Sequence, residues 1–452
     1  MVRRWPGRTI HAAFGRVVAS GVVQAMHAMQ IPPLDRFPAY TDFAPRVPVH
    51  CVTPGGTGYI HRFYDSPPFS PSGRYMALTR LPFEDRRPKP GEPAEIAVVD
   101  LVTGETRTVA ETRGWDVQLG AQAQWGADDR TLLYNDLDPG EWIPYGVRLD
   151  PVSGERRRLG GTVYAVSPDG RWTASPCLRR TATTQAGYGV VVPRERIPVN
   201  RGAPADDGIY LTDLDSGESR LLVSIADVVD AIGGTLDPGL ARRSDFFGFH
   251  VKWNPQGTRL IFVLRSLPRS WLPWRRKRRF GTRQVVTLDA DGGNVAVSVS
   301  ASRWARGGHH PNWCPDGEHV LMNLNTEGDG LRFARLARDG STCETLLDSV
   351  LGSGHPTLHP DCQHLLTDAY TDEPMAFGDG TVPIRLVDLR DGSDTTLLRI
   401  RTEPLAARAT GALRVDPHPA WDRSYTRIAF NACPNGRRQV FVADLSAFLS
   451  AG

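Results

Sequence analysis

From about residue 46 to the C-terminus, apolar positions alternate with polar ones in short runs rich in Val, Ile, Leu and Thr, and a 3.6-residue period is hard to find. Two kinds of turn punctuate the runs. The first is Ser-Pro-Xaa-Gly-like: Ser70 to Gly73, Gly126 to Asp129, Ser167 to Gly170, Asn254 to Gly257, Cys314 to Gly317 and His359 to Cys362. The second follows an Asp-bearing run: Val102 to Gly104, Val152 to Gly154, Asp215 to Gly217, Asp291 to Gly293, Arg338 to Gly340 and Arg390 to Gly392. Proline presets the first turn position, and Gly or Asp accepts the positive φ that follows.

One unit is therefore strand, Pro-Asp-Gly turn, strand, variable loop, strand, Thr-Gly turn, strand. Seven units fit, starting near Ser66, Gln122, Val163, His250, His310, His355 and His418. Four-stranded units recurring at roughly 40–50 residues predict an all-β chain closed into a seven-bladed β-propeller. The last unit is one strand short. Val47 to Val52 precedes the first unit and is expected to supply the missing outer strand, closing the ring. Residues 46–452 are expected to be one propeller, with residues 1–45 a helical or disordered leader outside it.

The loop between the second and third strands is long in most units: Leu81 to Glu95, Asp136 to Gly146, Leu178 to Gly208, Arg265 to Arg283 and Tyr370 to Pro383. In an up-and-down blade these loops share a face with the entrance of the innermost strand. Function is expected on that face, since loops carry the sites a scaffold positions.

Composition changes this picture little. The apolar content of 40% suffices for a large core, and a net charge of +3 gives no push toward nucleic acid. Six cysteines without a C-x-x-C pair suit neither a disulfide framework nor a zinc ribbon, so a reducing, cytoplasmic setting is expected. No run approaches the ~20 apolar residues that span a bilayer. Arg16 and His27 interrupt the N-terminal apolar stretch, and a weak export signal is the other reading of it. The basic run Arg275 to Arg279, with Trp271 and Trp274, lies in the fourth-unit loop, where it would steer a polyanion or simply be solvated.

The candidate chemistry lies in four histidines. His250, His310, His355 and His418 each stand three residues before a Trp or Leu, at the entrance of an innermost strand. Inner strands line one axial channel, so the four should converge. Imidazole serves either as a metal ligand or as a general base near neutral pH. Asp416 lies two residues before His418, on the same side of an extended chain. Asp416 and His418, with His355 from the neighbouring unit, would make a mixed N/O site for manganese or another transition ion. Gln122 takes the histidine position in the second unit.

The repeats resemble the WD40-like repeats of TolB-type propellers and, more sharply, the oligogalacturonate lyases of polysaccharide lyase family 22. That resemblance implies β-elimination on uronic-acid oligosaccharides, with a base histidine at a blade entrance and a bound Mn(II). Gly308-His309-His310 matches the base motif and points to His310. Gly354-His355-Pro356 matches the first metal histidine, and His418 the last. Asp416 replaces a histidine of the family pattern, and Leu413 stands where a glutamine would coordinate. β-Elimination also requires a cation against the substrate carboxylate, a role for Arg283 at the rim. His250, His309, His61 and Tyr64 are expected to contact substrate. A non-catalytic binding propeller and a metal-dependent hydrolase or epimerase are the alternatives. The residues assign no oligomeric state and no nucleic-acid or membrane partner.

Overall fold

The computed structural model describes residues 32–269, 281–404 and 411–450. The Arg275 to Arg279 run, Trp271, Trp274 and residues 1–31 of the expected leader lie outside these. Seven four-stranded antiparallel sheets are arranged as successive blades. Each blade packs against a neighbour on either side, so both faces of its sheet are buried and its central strands carry near-continuous buried runs. Leu260 to Leu264 of blade 4 and Ile428 to Ala432 of blade 7, both on second strands, are examples.

The ring closes as expected. Val49–Cys51 is the outer strand of blade 7 and pairs antiparallel with Gln439–Asp444, in register Val49↔Ala443, His50↔Val442 and Cys51↔Phe441. The leader expected over residues 1–45 does not stand wholly apart. Leu34, Phe37 and Tyr40 are buried, Tyr40 Oη donates to the carbonyl of Arg399 at 2.9 Å, and Arg427 Nη1 donates to the carbonyl of Pro32 at 2.7 Å. Leu34 and Phe37 share a core cluster with blades 1 and 7 and Tyr40 reaches blade 6, so the described part of that segment covers the seam where the ring closes.

Blade 1 differs from its expected start near Ser66. Its inner strand opens at Gly58–Ile60, breaks, and resumes only at the bridge between Phe69 and Met76. Residues 61–66 between these points turn into the axial channel. Helices occur where the strand pattern left loops. Leu178–Thr184 lies in the long loop of blade 3, and Ile225–Ala231 and Pro238–Arg243 lie between blades 3 and 4. The Ile225–Ala231 helix starts at a capping box: the Asp227 amide donates to Ser224 Oγ at 3.0 Å, and the Ser224 amide to Asp227 Oδ2 at 3.1 Å. Among the described residues no helix is long and apolar enough to cross a membrane.

Candidate functional site

The entrance of the inner strand carries an unusual backbone. Gln122, His250, His310 and His418, the same register position in four blades, all adopt positive φ, between 41° and 61°. A non-Gly residue rarely does so. In blades 4 and 5 the strand pairing also slips at this point, between Phe249 and Val251 and between His309 and Asn312. Such a bulge re-aims a side chain, here into the axis. Blade 6 achieves the turn one residue earlier, at Gly354 (φ +47), where a Cβ would meet Asp368 Oδ1 at 2.1 Å.

Three of the four histidines pack ring against ring, one pair tilted and one T-shaped. The rings of His310 and His355 lie 3.9 Å apart and those of His355 and His418 4.4 Å apart, centroid to centroid. The fourth, His250, is reached through Phe63, whose ring lies 5.0 Å from His250, 4.6 Å from His418, 5.9 Å from His355 and 6.4 Å from His310. Phe63 is fully buried. The blade 1 excursion therefore plugs the channel with an aromatic ring, and the imidazoles pack around it.

Exposure sorts the cluster into a mouth and a floor. His309, His310, Tyr370 and Arg414 are partly exposed, whereas His355, His418, Asp416 and Asp368 are buried. His310 Nδ1 donates to the carbonyl of Gly354 at 2.7 Å, which leaves Nε2 as the basic nitrogen, 3.2 Å from Tyr370 Oη. His309 Nδ1 lies 2.7 Å from His310 Nδ1, and its Nε2 is 3.5 Å from Glu373. Burial, then the neighbouring His355 and His309, pushes the His310 pKa well below the usual imidazole value. His355 and His418 are displaced the same way, burial being the main cause in both. All three rings are neutral near pH 7, the form that takes a proton or binds a metal.

On the floor, the ligand-capable atoms of His355, Asp416 and His418 all lie within 4.8 Å of one another. Asp368 organises them. It accepts from the His355 amide at 2.6 Å, from His355 Nδ1 at 2.9 Å and from the His418 amide at 3.3 Å. That contact fixes the His355 tautomer and turns Nε2 inward, as a carboxylate behind a ligating imidazole does. Burial raises the Asp368 pKa to about 7, against the pull of those amides. Both ring nitrogens of His418 are buried without a hydrogen-bond partner, an expensive arrangement for polar atoms. Arg414 Nε donates to both oxygens of Asp416, at 3.0 and 2.8 Å, and Nη2 donates to Tyr188 Oη at 2.8 Å. Burial raises the Asp416 pKa to about 6, with Arg414 opposing it. Two imidazoles and one carboxylate suit a borderline divalent ion, and the unpartnered nitrogens of His418 fit one as well.

Other expected site residues fall elsewhere. Arg283, expected at the rim, is exposed on the third strand of blade 4, opposite Arg265 in the ladder. Among the described residues, Arg414 lies at the mouth, beside Asp416 and Tyr370. His61, Tyr64 and His250 were expected to touch substrate, but they are 1%, 2% and 7% exposed and lie beneath the mouth. Tyr164 Oη hydrogen-bonds to His250 Nδ1, and Lys252 Nζ donates to Tyr64 Oη at 2.8 Å. These three support the floor. Asp368, Tyr370 and Arg414 were missed. Their signal was present, since Asp368 and Tyr370 alternate at a strand exit and Arg414 and Asp416 alternate before His418.

Fold and site together define a seven-bladed β-propeller with a histidine-rich axial mouth. No family model matches the chain, and no curated protein matches it in sequence. Among solved structures it is similar to an oligogalacturonate lyase in complex with manganese, at 14% identity, over 90% of this chain and 96% of that one, with a TM-score of 0.60. The oligogalacturonate lyase of Vibrio parahaemolyticus matches with the same identity, coverage and score. TolB from Acinetobacter baumannii is similar at 12% identity, over 79% of this chain and 78% of that one, with a TM-score of 0.38. At these identities the likeness is one of fold.

Proposed function

We propose that the chain is a carbon–oxygen lyase cleaving short uronic-acid-containing oligosaccharides by metal-assisted β-elimination. The observation that carries this reading is the close packing of a partly exposed, neutral His310, its ring 3.9 Å from that of His355, against the buried His355/Asp416/His418 group. His355, Asp416 and His418 would hold the ion. Mn(II) is the choice consistent with the neighbour's manganese complex. When bound, it neutralises the substrate carboxylate and so acidifies the adjacent C5 proton.

The chain's own groups do the rest. His310 Nε2 takes the C5 proton, the C5–H electrons form the C4–C5 double bond, and the C4–O bond breaks. Tyr370, whose pKa burial raises well above its ordinary value, keeps its proton and hands it to the leaving oxygen. His310 then returns a proton to Tyr370 across 3.2 Å. Arg414 adds positive charge at the mouth in place of Arg283. His309 orients His310.

The test is a panel of uronate oligosaccharides read by ultraviolet absorbance of the unsaturated product. His310→Asn keeps the positive φ that Asn tolerates. It should lower the rate by about 10²–10⁴-fold with bound metal unchanged. His355→Ala should lose the metal itself. No absorbance rise with any member of the panel removes the lyase reading. The second reading, a propeller that binds a sugar or protein without catalysis, is favoured by Leu413 in a ligand position and by the engagement of Asp416 with Arg414.

A further inference from the structure

A second group of imidazoles lies on the opposite face, where the turns are short. The turn His359-Pro360-Asp361-Cys362-Gln363-His364 joins the first two strands of blade 6, Thr357–Leu358 and His364–Thr367. His359 Nδ1 lies 2.9 Å and His364 Nδ1 2.7 Å from the same oxygen, Asp361 Oδ2. The ligand-capable atoms of the three residues are within 4.8 Å of one another.

The outer nitrogens decide what the inner ones can be. His359 Nε2 faces the Tyr425 carbonyl at 3.2 Å. A carbonyl only accepts, so Nε2 carries the hydrogen and the neutral ring has its lone pair on Nδ1. The Asp361 amide donates to that Nδ1 at 3.3 Å, which agrees. His364 Nε2 points toward Asp388 Oδ2 at 3.9 Å. A lone pair and a carboxylate oxygen therefore face each other at 2.9 Å, and something positive must lie between them. An outer acceptor behind the His359 ring, and a carboxylate on the outer side of the His364 ring, resemble the surroundings of metal-ligating histidines.

Blade 5 shows what usually supplies that charge. Its turn carries the same pair, Asp316 Oδ2 to His319 Nδ1 at 2.8 Å, but Cys314 replaces His359, and Arg335 Nη2 reaches Asp316 at 3.1 Å. Arg335 pairs with Leu321 in the ladder. In blade 6 the corresponding pair is Leu366↔Leu386. The arginine is replaced by leucine, and a second imidazole stands in the turn.

We propose that His359, Asp361 and His364 form a second metal site, for a Zn(II)-class borderline divalent ion. Two imidazoles and a carboxylate with solvent at the remaining position match that class. Blade 7 packs against the His359 ring, its Trp421 and Tyr425 rings lying 5.3 and 5.7 Å away. The site stands independently of the axial chemistry.

The probe is Zn(II) itself, titrated into chelator-stripped protein at neutral pH in competition with a chromophoric chelator. His359→Ala and His364→Ala should each bind one equivalent fewer than the wild-type protein, and His418→Asn should keep that equivalent. Far-ultraviolet circular dichroism checks each fold, and two separate blade 6 variants guard against one failing to fold. If both bind as much Zn(II) as the wild-type protein, a shared proton fills the gap and the proposal is overturned. An equivalent that survives His418→Asn but not His359→Ala supports this site whatever becomes of the axial one.

Discussion

Asp368 shows how much one buried carboxylate decides. Its oxygens accept from two backbone amides and from His355 Nδ1, so it fixes both the place and the tautomer of a floor imidazole. Asn keeps only one acceptor oxygen, so its NH₂ would meet either the His355 amide and Nδ1 or the His418 amide donor to donor. We expect Asp368→Asn to weaken metal retention at the axial floor by about 10–100-fold, read by equilibrium dialysis, with the fold retained. Lys252 is the second such residue. Its side chain is buried, with Nζ 3.2 Å from Asp65 Oδ2 and 4.1 Å from the Tyr64 ring centroid. Burial lowers its pKa from 10.5 to about 8, against the attraction of Asp65. Between pH 8 and 10.5 the unfolded chain holds this proton and the folded one does not, so stability rises with pH across that window. At about 1.4 kcal/mol per unit the rise approaches about 3 kcal/mol. Lys252→Met should abolish it. Denaturant unfolding at pH 7.5 and pH 10 checks this: equal pH dependence in both proteins would contradict it.

At the scale of elements, the blade 1 excursion is the decisive departure from regular repeats. Arg62 and Lys252 both pair with Asp65, Arg62 Nε donates to Gln122 Oε1 at 3.0 Å, and Phe63 is held among the imidazoles. Phe63→Ala leaves a cavity at the point where several blades meet, so a cost of about 3–5 kcal/mol is expected, read as a lowered denaturation midpoint. A loss under 1 kcal/mol would mean that the rings collapse into the gap and the plug is not rigid. This element also marks where the sequence stops being legible. The strands and turns were legible because period-two runs and Pro-Asp-Gly turns are local signals. The convergence of His310, His355 and His418 followed from register alone. Phe63 could not be placed, because an interrupted strand looks like a loop and only the closed ring shows that it points inward. Arg283 was favoured for its position on a rim loop, whereas Arg414 was hidden beside Asp416, where it looked like an ordinary neighbour. Cys362 and Tyr425 take the left-handed turn position that Gly fills in most blades, so the turn pattern survived the loss of its usual residue.

For the whole molecule, the clasp joins the two ends of the described chain and thereby sets the axial geometry. Blade 7 supplies His418 and Asp416, and blade 1 supplies Phe63, so any opening between these blades separates the floor from its plug. The closing contacts are few but buried. Beyond the strand pairs, the Asp444 amide donates to the Pro48 carbonyl at 3.0 Å and the Val52 amide to the Val440 carbonyl at 2.9 Å. Val49, Cys51 and Tyr40 share a core cluster with Phe430 and Phe441. Each apolar side chain of this size contributes roughly 1.5–3 kcal/mol when buried, and a typical domain has only about 5–15 kcal/mol in total. Starting the chain at residue 53 removes all three, bares the Gln439–Asp444 edge and leaves blade 7 with three strands. We expect that chain to unfold at lower temperature and to associate through the bared edge. A synthetic peptide of residues 32–52 should restore both the monomer on size-exclusion chromatography and the unfolding midpoint, because it returns the strand and its apolar cover without the covalent link. A truncated chain that stays monomeric with an unchanged midpoint would show that the ring holds without its clasp, and the axial site would then owe its geometry to packing between blades alone.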